Sequence, residues 1–312
     1  MVLGPMAVTL AVTVVAVDVG IALPTMAAGY STATTVDWAR AIDAGPFSSV
    51  STGERISFDN PDWVASLAAA AAVTERVRIM ANVVVVPLHA TALVAKQVAT
   101  LDVLSGGRMT LGVGVGGRQD DFRSLAATFG RRHQRLDDQV AELRRLWSGE
   151  PAFDGADPVG PRPLQPGGPP LLAGALGPKA MARAARWADG VTGFSVAGVV
   201  DEMAATFRLA EQAWEDAGRS DRPRLVTGCF FLVGEDDDVA SDRLRDFAAR
   251  YLAVFGADVA EALASETRVS SAAALHQVLD GAEAAGCDEI VLVPGTVDLD
   301  CLHRTTEALL SR

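Results

Sequence analysis

Short apolar runs alternate with amphipathic stretches along most of the 312-residue chain. Val17–Leu23 is apolar and β-branched, and Val77–Pro87 (VRIMANVVVVP) is a near-continuous Val/Ile run, as a strand buried on both faces requires. Thr91–Leu104 follows with Leu93, Val98, Leu101 and Leu104 at helical spacing, and Ser105-Gly106-Gly107 marks its stop. Arg108–Val115 reads as the next strand. Leu136, Val140, Leu143 and Trp147 then form one helical stripe.

The rhythm continues through a strand at Pro170–Gly174, a helix at Pro178–Ala188, a strand at Gly190–Phe194 and a helix at Asp201–Ala217 with Met203, Phe207, Ala210 and Trp214 aligned. Leu225–Val233 predicts another strand, residues 238–285 helices, Glu289–Pro294 a short closing strand and Leu299–Leu310 a last helix. With a short strand at Ser48–Thr52, eight strands can be counted. Strict alternation makes the strands parallel, and eight such units predict one closed (β/α)8 TIM barrel over residues 17–312. A doubly wound open sheet is the alternative.

Two stretches break the pattern. Residues 151–170 hold seven of the fifteen prolines and read as an ordered Pro/Gly-rich loop over the barrel mouth, with a disordered linker as the alternative. Residues 1–16 read as a loose or strand-extending leader. No Lys or Arg precedes Arg40, which argues against a secretory signal, and the apolar run is too short for a membrane helix.

Composition narrows the function classes. A formal charge of −12 opposes a nucleic-acid partner, because phosphate binding needs a basic field. Cys229, Cys287 and Cys301 have no metal-ligand spacing and read as buried thiols, which favours a reducing, cytoplasmic compartment. No zinc signature, nucleophile elbow or Walker loop is present, so no metal site is expected.

In a parallel barrel the working groups lie at the carboxyl ends of strands. That rule selects Glu54 and Arg55 after the second strand, Asn82 and His89 at and beyond the third, Gly114–Asp121 after the fourth, and Gly174–Lys179 after the fifth. The last segment ends a strand in glycines and starts a helix with Pro178, so its free N–H groups offer an anion site; a plain tight turn is the alternative. Gly114–Gly117 serves either close packing or the approach of a flat cofactor. His89 is the histidine expected at the mouth; His133, His276 and His303 read as surface or structural.

The stretches LVAKQVATLDVLSGGRMTLGVGVGGRQDDF (93–122) and LLAGALGPKAMARAARWADG (171–190) resemble the luciferase-like monooxygenase family. Within it they are most similar to the actinobacterial branch that uses the deazaflavin coenzyme F420. IALP (21–24) and FSSVSTGER (47–55) fit the same pattern, and the resemblance covers residues 17–195. It implies F420, or alternatively FMN, in the carboxyl-end mouth. It also implies a non-proline cis peptide at Asn82–Val83, with Val83 backing one ring face. The ribityl phosphate would sit against Gly174, Ala175, Leu176 and Gly177, with Gly116, Gly117 and Asp120 along the ribityl chain.

The departures matter equally. Where the sugar-phosphate dehydrogenase branch has an Asp-His pair after strand two, this chain has Glu54-Arg55, and where that branch has an acid after strand four, Gly117 stands. Arg55 stays protonated, so it binds a carboxylate, stabilises developing negative charge or pairs with Glu54 or another acid. Glu54 contacts the cofactor ring or holds Arg55, and His89 is the neutral-pH acid–base candidate. The expected function is an F420-dependent oxidoreductase moving a hydride to or from deazaflavin C5 on a small-molecule substrate. The alternatives are an FMN-dependent monooxygenase, a non-catalytic flavin-binding paralogue and an unrelated barrel enzyme such as an aldolase. Neither nucleic acid nor membrane is expected as a partner, and members of the family commonly form homodimers.

Overall fold

In the computed structural model, which describes residues 16–312, strands and helices alternate along the whole chain. The order is β1 (Asp18–Ala22), α1 (Thr32–Ala44), β2 (Ser49–Thr52), α2 (Trp63–Val73), β3 (Arg78–Val84), α3 (Thr91–Leu104), β4 (Met109–Val113), α4 (Gln119–Ser124), α5 (Arg132–Trp147), β5 (Leu171–Ala173), α6 (Pro178–Ala184), β6 (Gly190–Thr192), α7 (Val200–Asp216), β7 (Arg224–Phe231), α8 (Asp237–Leu252), α9 (Ala257–Ala264), α10 (Ala272–Ala284), β8 (Glu289–Pro294) and α11 (Leu299–Leu310). Every strand pairs in parallel with its sequence neighbour, and β1 pairs with β8 to close the barrel. The expected (β/α)8 architecture is therefore present. The leader expected over residues 1–16 falls almost wholly on residues 1–15, which lie outside the described residues.

Burial on both faces explains the uninterrupted Val/Ile runs. Inside the barrel, Ala22, Met80, Leu172 and Val226 come from the four odd-numbered strands and pack with Val291, one layer of the interior filling such barrels require. Outside, the helices lay apolar stripes such as Leu136, Val140, Leu143 and Trp147 onto the strands. The expected β3 run stops early: after Val84 the chain makes a 3-10 turn at Val86–Leu88, where Pro87 has no N–H for the ladder. No helix of the described residues is long and apolar enough to cross a membrane.

The expected place of residues 151–170 needs correction. This segment is ordered, but it lies at the amino ends of the strands, opposite the mouth. It runs from the end of α5 into β5, and connections from helix to strand in a barrel return to that face. Asp102, fully buried at the end of α3, accepts from the N–H groups of Leu164 at 2.7 Å and Gln165 at 3.0 Å, and from Gln165 Nε2 at 2.7 Å. Gln165 Nε2 also donates to the Met109 carbonyl, 2.7 Å away at the start of β4.

The same end of the barrel is plugged by Glu289. Its fully buried carboxylate accepts from the Ser48 and Ser49 hydroxyls at 2.6 Å each and pairs with Arg224 at 2.8 Å and Arg78 at 3.0 Å. Burial raises its pKa, but Arg78, the two hydroxyls and Arg224 outweigh burial and hold it below the ordinary 4.5. A carboxylate with a depressed folded pKa adds stability that is complete above its ordinary value and lost as pH falls towards the folded one. Glu289→Gln is therefore expected to lower stability at pH 7 by about 2–3 kcal/mol, since both arginines are partly exposed and screened. Chemical denaturation at several pH values checks this: the gap from the parent should narrow as pH drops below 4.5.

Candidate active site at the barrel mouth

The mouth is organised around a bulge in β3. Ala81 pairs with Leu111 and Val84 with Val113, so Asn82 and Val83 together oppose the single residue Gly112. The Asn82–Val83 peptide is cis. The displaced pair fits because its neighbours have no side chains. A Cβ on Gly53 would lie 2.9 Å from the Asn82 carbonyl oxygen, and one on Gly112 2.7 Å from that of Ala81. Cβ atoms on Gly114 and Gly174 would lie 3.0 and 3.2 Å from the Val83 methyls. Val83 thus rests half-buried on a seat of three glycines from β4 and the ends of β4 and β5. Across the barrel, Thr192 Oγ1 donates to Asn82 Oδ1 at 2.9 Å.

Glu54 clamps this bulge. Its N–H donates to the Val83 carbonyl at 3.1 Å, and its Oε2 accepts from the Val85 N–H at 2.8 Å. Its Oε1 lies 2.7 Å from His89 Nε2, and its side chain is 3% exposed. The carboxylate is committed to backbone and imidazole, so the Glu54–Arg55 pairing, one of the alternatives for Arg55, does not form. His89 is steadied in turn by α5: its carbonyl accepts from Gln139 Nε2 at 2.9 Å and Arg135 Nη2 at 3.2 Å.

Arg55 is buried among aromatic rings. Its guanidinium carbon lies 3.8 Å from the Phe58 ring centre and 4.8 Å from that of Tyr251, and Nη1 donates to the Tyr251 carbonyl at 2.9 Å. Burial, with nearby Arg118 adding to it, pushes its pKa down to about 10, so it remains a cation at neutral pH. Tyr251 packs edge-on against Phe230, and Phe230 against the half-exposed Phe194, giving the mouth one aromatic wall.

The expected cofactor positions divide. At Gly116 (φ +68°) a Cβ would come within 2.5 Å of Val85, and its carbonyl accepts from Arg132 at 2.9 Å, so this glycine serves packing. At Gly117 a Cβ would meet nothing within 4 Å. Asp120 points away, its side chain 79% exposed. The inward acid is Asp121, which accepts from the Ser57 N–H at 2.9 Å and from Arg118 Nη2 at 2.7 Å. It ties α4 to the loop after β2. Gly174 belongs to the Val83 seat, Ala175 is buried, and Leu176 projects outward at 77% exposure. Gly177 has φ +77° and open space beside it, directly before Pro178 starts α6.

Sequence reasoning placed Asp121 in the selected span but gave the role to Asp120, and it missed Thr192, Phe58 and Tyr251. The i,i+3 spacing to Arg118 was a usable signal for Asp121. Nothing local marks Tyr251, which is 196 residues from Arg55. The three thiols are buried and pushed up to about 12, as inert core cysteines should be. His276 bonds the Ala308 carbonyl at 2.8 Å, a structural role. A cavity of about 550 Å³ lies off the barrel axis between α8 and α11. There Arg243 donates to the Thr296 hydroxyl at 2.9 Å and Arg304 lies 3.6 Å from Glu235.

Residues 15–292 match the family described as luciferase-like monooxygenase. An uncharacterized protein of Mycobacterium tuberculosis is 36% identical over 171 residues, 53% of this chain and 59% of that protein. The 4-hydroxyprotoasukamycin monooxygenase of Streptomyces nodosus subsp. asukaensis is 30% identical over 199 residues, 59% of this chain and 54% of the enzyme. The chain thus spans little more than half the length of these curated relatives. Among solved structures, an F420-dependent secondary alcohol dehydrogenase in complex with an F420-acetone adduct superposes with a TM-score of 0.78 at 19% identity, over 94% of this chain and 98% of that one. At that identity the likeness is one of fold.

The glycine seat makes a stability test possible. Gly112→Ala should cost about 1–3 kcal/mol because backbone must move, whereas Gly117→Ala should change stability by less than about 0.5 kcal/mol. Thermal unfolding of the two variants beside the parent checks the contrast; equal effects would remove the seat from the account.

Proposed function

The chain belongs to the luciferase-like monooxygenase family, and from that premise we propose that it is an oxidoreductase holding coenzyme F420 across the carboxyl ends of β3, β4 and β5. Its substrate is a small organic molecule. The observation that carries the reading is the Val83 shelf, an apolar surface raised from β3 on glycines that hold it rigidly. A flat ring system needs one fixed apolar face behind it and one open face in front. When bound, the deazaflavin supplies hydride chemistry at its C5.

The remaining work falls to this chain's own residues. Val83 blocks one ring face. The turn through Gly177 leaves unpaired N–H groups at the start of α6 for the cofactor phosphate, and the side-chain-free Gly117 admits the ribityl chain close to the backbone. Glu54 positions the shelf and His89 and does not react itself. With Glu54 as a carboxylate, His89 Nε2 holds its proton in their shared bond, so Nδ1 is the nitrogen left to exchange one with substrate. A second reading, an FMN-dependent monooxygenase, is favoured by the monooxygenase that is 30% identical in sequence; it uses the same shelf with a different ring.

Fluorescence titration with F420 and FMN separates the two readings, and tight FMN binding without F420 binding would sink the first. Gly117→Leu should weaken cofactor binding about tenfold or more while leaving Tm within about 2 °C of the parent. His89→Gln should lower kcat about 100-fold with little change in cofactor affinity, the signature of a lost acid–base group. An unchanged kcat would exclude that role.

A further inference from the structure

Arg55 is the cation this mouth leaves unmatched. It is 9% exposed, yet Nη1 to the Tyr251 carbonyl is its one hydrogen bond among the described residues. Nε is buried without a partner, and no carboxylate oxygen of the described residues comes within the 4.0 Å of an ion pair. Its cationic neighbours differ: Arg118 donates through Nε and Nη2 to Asp121 Oδ2, and Arg250, which donates to the Met26 carbonyl, is exposed to solvent. Arg108, elsewhere in the barrel, spends its guanidinium on the carbonyls of Thr74, Val77 and Ser105. A buried charge without a counter-ion is costly, so one retained at a mouth calls for a partner that arrives from outside.

The free atoms define that partner. With Nη1 engaged, Nε and Nη2 are left without a partner among the described residues, and they share one edge of the planar fork, the geometry that accepts two oxygens of a single oxyanion. Arg55 lines a cavity of about 200 Å³ with Ile56, Asn60 and Trp63, and Asn60 Oδ1 there is also without a partner. Glu54 and Asp62 share the wall, which favours a monoanion over a dianionic phosphate. Asn60 Oδ1 needs a donor, which a hydroxyl on the ligand or a bridging water supplies.

We propose that the Nε/Nη2 edge of Arg55 anchors a carboxylate carried by the substrate, so that the enzyme acts on small organic acids. Assigning the carboxylate to the substrate rests on the cofactor-holding reading of the mouth; the acidic tail of F420 is the other source of the same chemistry. Calorimetry on the cofactor-free chain compares benzoate with the neutral benzyl alcohol, using the parent, Arg55→Lys and Arg55→Met. The parent should prefer benzoate by about tenfold or more. Both variants should lose that preference while still binding benzyl alcohol, since lysine keeps the charge but not the fork and methionine keeps the packing between Phe58 and Tyr251.

Equal affinity for the two probes in the parent, or a preference retained in Arg55→Met, overturns the proposal. F420 titration of the same proteins separates the sources. Weakened F420 binding in Arg55→Met, with no benzoate preference in the parent, gives the edge to the coenzyme tail and overturns the substrate assignment. A benzoate preference in a parent that binds no F420 leaves the anchor standing and removes the cofactor reading instead.

Discussion

The mouth of this barrel depends on one steric fact: two residues of β3 occupy the space of one. Asn82 and Val83 oppose Gly112 alone, and the excess backbone fits only where Gly53, Gly112, Gly114 and Gly174 carry no side chains. The hydrogen bonds around it follow from that displacement. Glu54 reaches both sides of the bulge through Val83 and Val85, Thr192 meets Asn82 from across the barrel, and His89 takes the remaining oxygen of Glu54. Removing any glycine of the seat would therefore disturb the Glu54–His89 hydrogen bond as well as the shelf.

The two ends of the barrel treat charge in opposite ways. At the amino end, Glu289 is buried with two hydroxyls and two arginines, a closed arrangement that contributes to stability and leaves nothing over. At the carboxyl end, Arg55 is buried against rings with one hydrogen bond among the described residues and Nε left without a partner. A fold keeps matched charges where it needs rigidity; an unmatched one is tolerated where a ligand supplies the complement. The same contrast separates Asp121, which is spent on tying α4 to the loop after β2, from its exposed neighbour Asp120.

Much of the scaffold was legible in the chain. Strands buried on both faces must be runs of Val, Ile and Leu, and helices against them must carry a stripe, so alternation alone led to a closed parallel barrel. The rule that mouths lie at strand ends then selected Glu54, Arg55, Asn82 and His89, and the family resemblance added Val83. It was misapplied once. Residues 151–170 follow a helix and precede a strand, an order that places them at the amino ends, not over the mouth as expected.

What the sequence determined by itself is what depends on local periodicity and on residues without side chains: the barrel, the glycine-rich strand ends and the inert thiols. Tertiary structure alone decided the partners. Glu54 was free to pair with its neighbour Arg55 or to turn away, and its bonds to Val83 and Val85 at the β3 bulge bring it to His89, 35 residues on. Arg55 in turn meets Tyr251, 196 residues distant, because α8 folds back over the rim. The meaning of Gly112 to Gly117 divides for the same reason. Gly112, Gly114 and Gly116 make room for Val83 and Val85, contacts set by the register between strands, and only Gly117 borders open space. Pairings across a barrel are fixed by register and closure, and no local pattern of residues encodes either.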